Sequence, residues 1–297
     1  MEKLKEEVFQ VDSAIVQKAR ALDNYVIVED DKKVGDEDPI CAVYFASNYI
    51  YYPNTEETFK KAILDKNRFE WWNLKHPKAT KHIFIRDIYK QWYLHGINNQ
   101  LNSLEKLAEF LEKEVKGYTS YFIGSSAGGY LAVLLGSLLN VSRIYAFNNQ
   151  FYLHDLLETS SAAIDPLIFR EQHNPIINKY YTIKEFIKEP KNVYYFHSNR
   201  SDWDVRQFNA VRDVNMHVVS VNTNIHGIPL LKNNLITLFS LDAPELEKLA
   251  KKPLNPIKFS IKIIGFFETM LFLFTLLPNA YNRWIYNPII SFFKNKK

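Results

Sequence analysis

Residues 118–150 read YTSYFIGSSAGGYLAVLLGSLLNVSRIYAFNNQ, an order of residue types that spells strand, tight turn, helix. The apolar run Tyr121-Phe122-Ile123 stops at Gly124-Ser125-Ser126-Ala127-Gly128-Gly129, and a leucine-rich segment with small residues continues to Leu139. A turn of this kind pushes the hydroxyl of Ser126 out above the sheet. Gly124 and Gly128 lack a Cβ, which lets the helix come close to the strand and the strained turn form. The N–H of Ala127 is then aimed at whatever Ser126 attacks and is a candidate oxyanion donor. Alone, a G-x-S-x-G match is a weak signal; its weight here comes from the flanking strand and helix, and from an acid and a histidine placed later in the chain.

The 297 residues suffice for one α/β domain of about 250 residues with an appendage. A hydrophobic content of 47% argues against extensive disorder. The single cysteine, Cys41, excludes an intrachain disulfide and offers no thiolate cluster for zinc, and no spacing elsewhere resembles a metal site. The charged N-terminus MEKLKEEVFQV is unlike a secretory signal, so a cytoplasmic setting is expected.

Upstream of the turn, NYVIVE (24–29) and ICAVYF (40–45) read as strands joined by a polar turn, and are expected to pair as an antiparallel edge hairpin feeding a mostly parallel sheet. In a serine-hydrolase layout the loop after the second of these strands supplies the other oxyanion donor, which nominates the backbone N–H of Ala46 or Ser47. Tyr49–Tyr52 and Trp71-Trp72 add aromatic surface around that loop, either as a pocket wall or as core. KHIFIR (81–86) is a third strand. It ends in Arg86-Asp87, at the end of the sheet where open α/β proteins bind ligands, so the pair is a candidate for substrate contact; the alternative is that Asp87 caps the turn. LNSLEKLAEFLEKEV (101–115) has the 3.6-residue period of an amphipathic helix packed on a sheet.

Downstream, Ser142–Phe147 is a parallel strand running into Asn148-Asn149-Gln150, whose amides could orient substrate or satisfy local backbone; Gln150 is the candidate retained. Residues 151–190 lack alternation and fall where a small cap is inserted over such sites. NVYYFH (192–197) delivers SNRSDWD, in which Asp202 is the expected orienting acid and Asp204 the reserve, since Asp204 could instead cap the helix suggested by VRQFNAVRD. MHVVSV (216–221) is followed by NTNIHG, which puts His226 on a loop beyond a strand.

The chain order Ser126, Asp202, His226 is Ser…Asp…His. A neutral imidazole can take the serine proton as the hydroxyl attacks a carbonyl and then return a proton to the leaving group, while the carboxylate holds its tautomer. The expected chemistry passes through an acyl-enzyme. Water as second acceptor makes an esterase, a sugar hydroxyl an acyltransferase, and the triad is the same for both. A lipase, or a non-catalytic component that has kept the fold, remains the rival reading.

The series VYFAS, RD…WY, YFIGSSAGGYLAVLLGSLLN with IYAFNNQ, FHSNRSDWD and NIHG resembles the serine α/β-hydrolase-like proteins of bacterial capsular polysaccharide clusters, in particular the capsular polysaccharide O-acetyltransferases of meningococcal type, and more remotely the hydrolase-like component of accessory secretion systems. The likeness covers about residues 25–240; only Ile123–Gly136 is at all specific. It implies an α/β-hydrolase-like, mostly parallel sheet flanked by helices. It further implies acetyl transfer from acetyl-CoA, with no tightly bound cofactor, onto polysaccharide hydroxyls through Ser126, Asp202 and His226. Ala127 departs from the lysine that the family carries after its serine.

The body is expected to occupy residues 1–245 and a basic, hydrophobic helical tail residues 246–297. From residue 250 onward, Lys251, Lys252, Lys258, Lys262, Arg283, Lys294, Lys296 and Lys297 face Glu268 alone, so the positive charge is concentrated in the tail and the body is mildly acidic. That distribution does not suit a nucleic-acid binder. The apolar run 263–277 would make a helix of about 22 Å, short of the roughly 30 Å hydrocarbon core. A tail lying on the inner face of the cell membrane is therefore expected, with lysines on anionic head groups and Trp284 and Tyr286 at head-group depth; packing on the body or a homo-oligomer contact is the alternative. A polysaccharide or glycolipid acceptor fits that address.

Overall fold

The computed structural model describes residues 10–30 and 38–281, and side chains as far as residue 276. Seven strands form one sheet: β1 (Tyr25–Glu29), β2 (Ile40–Phe45), β3 (Lys81–Ile85), β4 (Thr119–Ser125), β5 (Arg143–Phe147), β6 (Val193–Ser198) and β7 (His217–Val221), in the spatial order β1-β3-β2-β4-β5-β6-β7. All neighbours are parallel except β1, which runs antiparallel to β3. The edge hairpin expected between β1 and β2 does not form, because β3 lies between them. Burial gives the reason. β2 and β3 are almost wholly buried and take interior places, while the half-exposed β1 lies at the edge.

Alternate residues of the strands feed two cores, one on each face of the sheet. Val43, Phe45, Phe122 and Ile144 pack on one side, and Ala42, Tyr44, Ile123 and Tyr145 on the other. The first core is closed by helix α1 (Leu104–Val115), capped by Ser103, and by α2 (Ala127–Leu138), which is apolar all round and buried over ten of its twelve residues. Helix α3 (Asp202–Ala210) follows β6. The second core is closed by chain after β7, including Leu235, Leu238, Phe239, Leu246 and Phe259. This is an α/β-hydrolase-like fold with a C-terminal helical region.

Residues 151–190 form short helical segments whose Leu153, Leu156, Leu167, Ile168, Tyr181 and Ile183 join the first core. The C-terminal apolar run is split by Gly265, whose φ of 92° is left-handed: α4 (Pro256–Ile264) ends there and α5 (Phe266–Tyr281) begins. Ser260 Oγ of α4 donates to Asn234 Oδ1 at 2.9 Å and lies 2.8 Å from Thr269 Oγ1, which ties the pair of helices to the body. Trp284, Tyr286 and the last basic residues lie outside the described residues.

Two imidazoles are buried as neutral groups. Burial, with Arg143 nearby, pushes His76 down to about 3, and burial pushes His197 down to about 4. Below about pH 6.5 the unfolded chain therefore binds protons that the folded chain refuses, so stability falls on acidification until the folded values are reached. Each imidazole contributes up to about 1.4 kcal/mol per pH unit in that window. Urea midpoints measured at pH 7 and pH 5 should show the loss, and H76Q should reduce it; equal pH slopes in the two proteins would contradict this account. Burial likewise pushes the Cys41 thiol up to about 12, consistent with an inert strand residue.

Candidate active site

Strand β4 delivers Ser126 into a turn with φ 53° and ψ −124°, a conformation that a non-glycine residue holds only where its surroundings impose it. Those surroundings are visible. The Ser126 N–H donates to the Phe147 carbonyl at 2.9 Å, its own carbonyl accepts from Tyr130 at 2.9 Å, and α2 starts at the next residue. The close approach depends on two glycines: a Cβ on Gly124 would lie 2.1 Å from the Gly128 carbonyl oxygen, and one on Gly128 would lie 2.2 Å from that of Phe45.

Across the mouth of the turn His226 Nε2 lies 2.9 Å from Ser126 Oγ, and His226 Nδ1 lies 2.8 Å from Asp204 Oδ1. An ionised carboxylate can only accept, so Nδ1 carries the proton and Nε2 is free to accept from the serine hydroxyl. Asp204 is fully buried. The acid beside the imidazole is thus Asp204, and Asp202 is not: it is exposed at the first position of α3. Two residues along a helix are about 200° apart around its axis, so when one faces the imidazole the other faces solvent. The helix cap, the alternative role considered for Asp204, comes from Ser201, whose side chain accepts from the Asp204 N–H.

The histidine loop is fixed from beneath. The Ile225 carbonyl accepts from Ser198 Oγ at 2.5 Å and from Asn148 Nδ2 at 3.0 Å, and Asn148 Oδ1 accepts from the Ser198 N–H at 2.7 Å. Both Asn148 and Ser198 are completely buried, and Gly227 with φ 97° turns the chain away after His226. Asn148, the first amide after β5, therefore holds the loop in place together with Ser198.

Ala127 is the first residue of α2, so its N–H has no partner inside the helix and remains a candidate donor beside Ser126. The two other candidate donors are engaged. The Ala46 N–H is spent in the sheet on the Ile85 carbonyl at 2.9 Å. The Ser47 N–H donates to Glu70 Oε2 and its hydroxyl to Glu70 Oε1 at 2.9 Å. Glu70 carries no sequence signal of its own; it is a lone acid between Phe69 and Trp71 in a loop.

Three further candidates are not in the site. Arg86 is buried, donates to Asn24 Oδ1 at 3.1 Å and to the Arg68 carbonyl at 2.9 Å, and is pushed down to about 10 by burial. Asp87 accepts the backbone N–H groups of Tyr89, Gln91 and Tyr93, and burial raises it against the pull of those amides. Gln150 is buried and accepts from the Trp92 indole at 3.0 Å. Asp87 and Gln150 hold together the irregular segment after β3, where Lys90, Trp92 and Tyr93 have left-handed φ, while Arg86 ties the residue before β1 to the loop that carries Arg68.

A cavity of about 540 Å³ opens onto the triplet, lined among others by Ser47, Glu70, Ser126, His226 and Lys232. Tyr49, also in its wall, is exposed and stacked on exposed Tyr52, with ring centroids 5.8 Å apart. Trp71 is buried; its indole donates to the Phe45 carbonyl at 3.0 Å. No residue of 151–190 lines the cavity. A hydroxyl, a neutral imidazole and a buried carboxylate in this series can generate a nucleophile next to an open cavity.

The fold class defined by this sheet and turn is that of α/β hydrolases. Among solved structures, the chain is similar to the capsule O-acetyltransferase of Neisseria meningitidis serogroup A in complex with caged gadolinium, at 14% identity over 78% of this chain and 92% of that one, with a TM-score of 0.47. It is similar as well to a mutant of that enzyme in complex with CoA, at 15% identity over 77% and 93% with a TM-score of 0.44. A third likeness is to an inhibited esterase B from Lactobacillus rhamnosis, at 11% identity over 70% and 80% with a TM-score of 0.41. No protein-family model matches the chain, and no curated protein sequence matches it.

Proposed function

We propose that the protein is a serine-dependent acyltransferase that works through an acyl-enzyme on Ser126, and that its acceptor is a hydroxyl of a bacterial surface polysaccharide or its glycolipid precursor. The observation that carries the reading is the unbroken series Ser126 Oγ, His226, Asp204, at 2.9 and 2.8 Å. His226 Nε2 takes the hydroxyl proton as Ser126 adds to the acyl carbonyl, the charged imidazole is stabilised by Asp204, and the Ala127 N–H faces the growing oxyanion. Collapse expels the leaving group, which takes the proton from His226. The acceptor hydroxyl then gives its proton to His226 and adds to the ester carbonyl; collapse breaks the bond to Ser126, whose Oγ takes the proton back from His226. Acetyl-CoA is the donor that the motif resemblance implies, with its thiol as leaving group, and the cavity admits an acyl group from the open side.

Incubation with acetyl-CoA and a polysaccharide acceptor should give acceptor-bound acetate, and S126A should abolish it. Equal turnover by the two proteins would end the proposal. Release of free acetate whether or not an acceptor is present would make the protein an esterase.

The address we propose is the inner face of the cell membrane. Helix α5 leaves Phe266, Phe267, Leu271 and Phe274 exposed, Phe267 by 85%, and the preceding helix α4 exposes Lys258 and Lys262. Exposed aromatic residues beside lysines suit a bilayer with anionic head groups. Among the described residues no helix is long and apolar enough to cross a membrane. The protein should float with vesicles containing phosphatidylglycerol and less with phosphatidylcholine alone, and the triple change F267S/L271S/F274S should leave it at the bottom of the gradient. Flotation unaffected by those changes would remove α5 as the contact.

A further inference from the structure

Of the two N–H groups nominated beside Ala127, one is committed to the sheet and the other to an anion. Glu70 is gripped at both oxygens by one residue, through the N–H and the hydroxyl of Ser47. Its loop is locked to the end of β2 by the neighbouring Trp71, whose indole donates to the Phe45 carbonyl at 3.0 Å. Ser47, Glu70 and Ser126 face the same cavity. A carboxylate oxygen thus occupies the N–H nominated as the second donor to a tetrahedral intermediate on Ser126. One N–H cannot serve both anions, and a fixed negative charge beside a growing one raises the barrier that the site has to lower.

We propose that Glu70 is a specificity-determining residue of the acyl-transfer site: a displaceable carboxylate seated on the Ser47 amide that yields to a neutral acyl carbonyl and turns away acyl groups that carry their own negative charge. The inference rests on the reading of Ser126 as nucleophile. An acetyl group brings only a carbonyl dipole into the cavity and competes for the Ser47 N–H without opposing Glu70. A succinyl group brings a second carboxylate into the same cavity, where like charges repel. Lys232, exposed in the cavity wall, offers the displaced Glu70 an opposite charge. The Ala127 N–H serves the oxyanion throughout, and the Ser47 N–H joins it once Glu70 has left.

The test is the rate of Ser126 acylation in the full-length protein with 4-nitrophenyl acetate and with the 4-nitrophenyl hemiester of succinate. The proteins compared are wild type, E70Q, E70A, S47A and S126A. Loss of one oxyanion donor typically costs 10²–10³ in rate, so unmasking a partly masked one should speed acylation by acetate about tenfold in E70Q and E70A. The acetyl-over-succinyl preference should shrink about tenfold as well, by the loss of one like-charge contact in the cavity. S47A keeps the amide but releases one of the two bonds on Glu70, and should move both quantities the same way by a smaller factor. A merely structural glutamate would lower both rates together and leave their ratio alone. If E70Q and E70A acylate no faster than wild type at an unchanged ratio while S126A is inert, the proposal for Glu70 is overturned and the nucleophile stands. If wild type reacts no faster than S126A, the nucleophile falls and the role of Glu70 with it.

Discussion

Replacing Asp204 by asparagine is expected to slow acylation of Ser126 by about 10⁴-fold, whereas D202N leaves the rate within about twofold of wild type. Asp204 is wholly buried, and its Oδ1 lies 2.8 Å from His226 Nδ1. An asparagine there can turn its NH₂ toward Nδ1 and hold the imidazole in the tautomer whose Nε2 carries the proton. The nitrogen facing Ser126 would then be a donor with no lone pair to offer the hydroxyl. It also leaves the imidazolium formed during attack without a counter-charge. Asp202 stands at the exposed first position of α3 and touches neither nitrogen. The second-order rate of labelling by a fluorophosphonate, read by mass spectrometry on Ser126, separates the two variants. A slow D202N beside a fast D204N would reverse the assignment of the acid, and equal rates would remove the acid from the chemistry.

That pair marks where reading by sequence stops. The strand, turn and helix around Ser126 were legible because they are local: apolar run, small residues and leucine-rich continuation follow one another in the chain. The approach of His226 to Ser126 across 100 residues was legible too, since a parallel sheet brings the carboxyl ends of β4 and β7 to one side. The choice between two aspartates was not, because it depends on where α3 begins to within one residue, and helix boundaries carry that much uncertainty in any sequence. The β1–β2 hairpin failed for a related reason. A ten-residue polar turn between two strands is compatible with pairing, but the place beside β2 went to β3, forty residues away and fully buried.

Arg86, Asp87 and Gln150 show a different limit. Polar residues at the carboxyl ends of strands face either the ligand or the irregular structure that begins there, and here Asp87 serves the backbone while Arg86 and Gln150 are taken up by the side chains of Asn24 and Trp92. Glu70 had no signal at all. Its place on Ser47 follows from the path of the 46–80 connection, and nothing about a glutamate between two aromatic residues announces where its carboxylate will come to rest.

Gly128→Ala is expected to cost about 4 kcal/mol of stability or to prevent accumulation of folded protein. The added Cβ would lie 2.2 Å from the Phe45 carbonyl oxygen and 2.9 Å from that of Ala46, both backbone atoms in or next to a buried strand that cannot rotate out of the way. Relief to ordinary contact requires α2 to lift by about an ångström, and α2 is packed on nearly every side. Gly136→Ala, eight residues on in the same helix, is the control. There the obstructing atoms are Ile144 Cδ1 at 2.7 Å and Cγ1 at 2.8 Å, the end of a side chain that can repack, and alanine recovers about 1 kcal/mol of helix propensity. Urea midpoints should fall far more for G128A than for G136A, and equal midpoints would mean that the contact between α2 and β2 is soft. The Phe45 carbonyl against which Gly128 rests also accepts the Trp71 indole, so a lifted helix disturbs at once the turn that presents Ser126 and the loop that carries Glu70. Any folded G128A should accordingly lose fluorophosphonate labelling as well as stability, a coupling that G136A should not show.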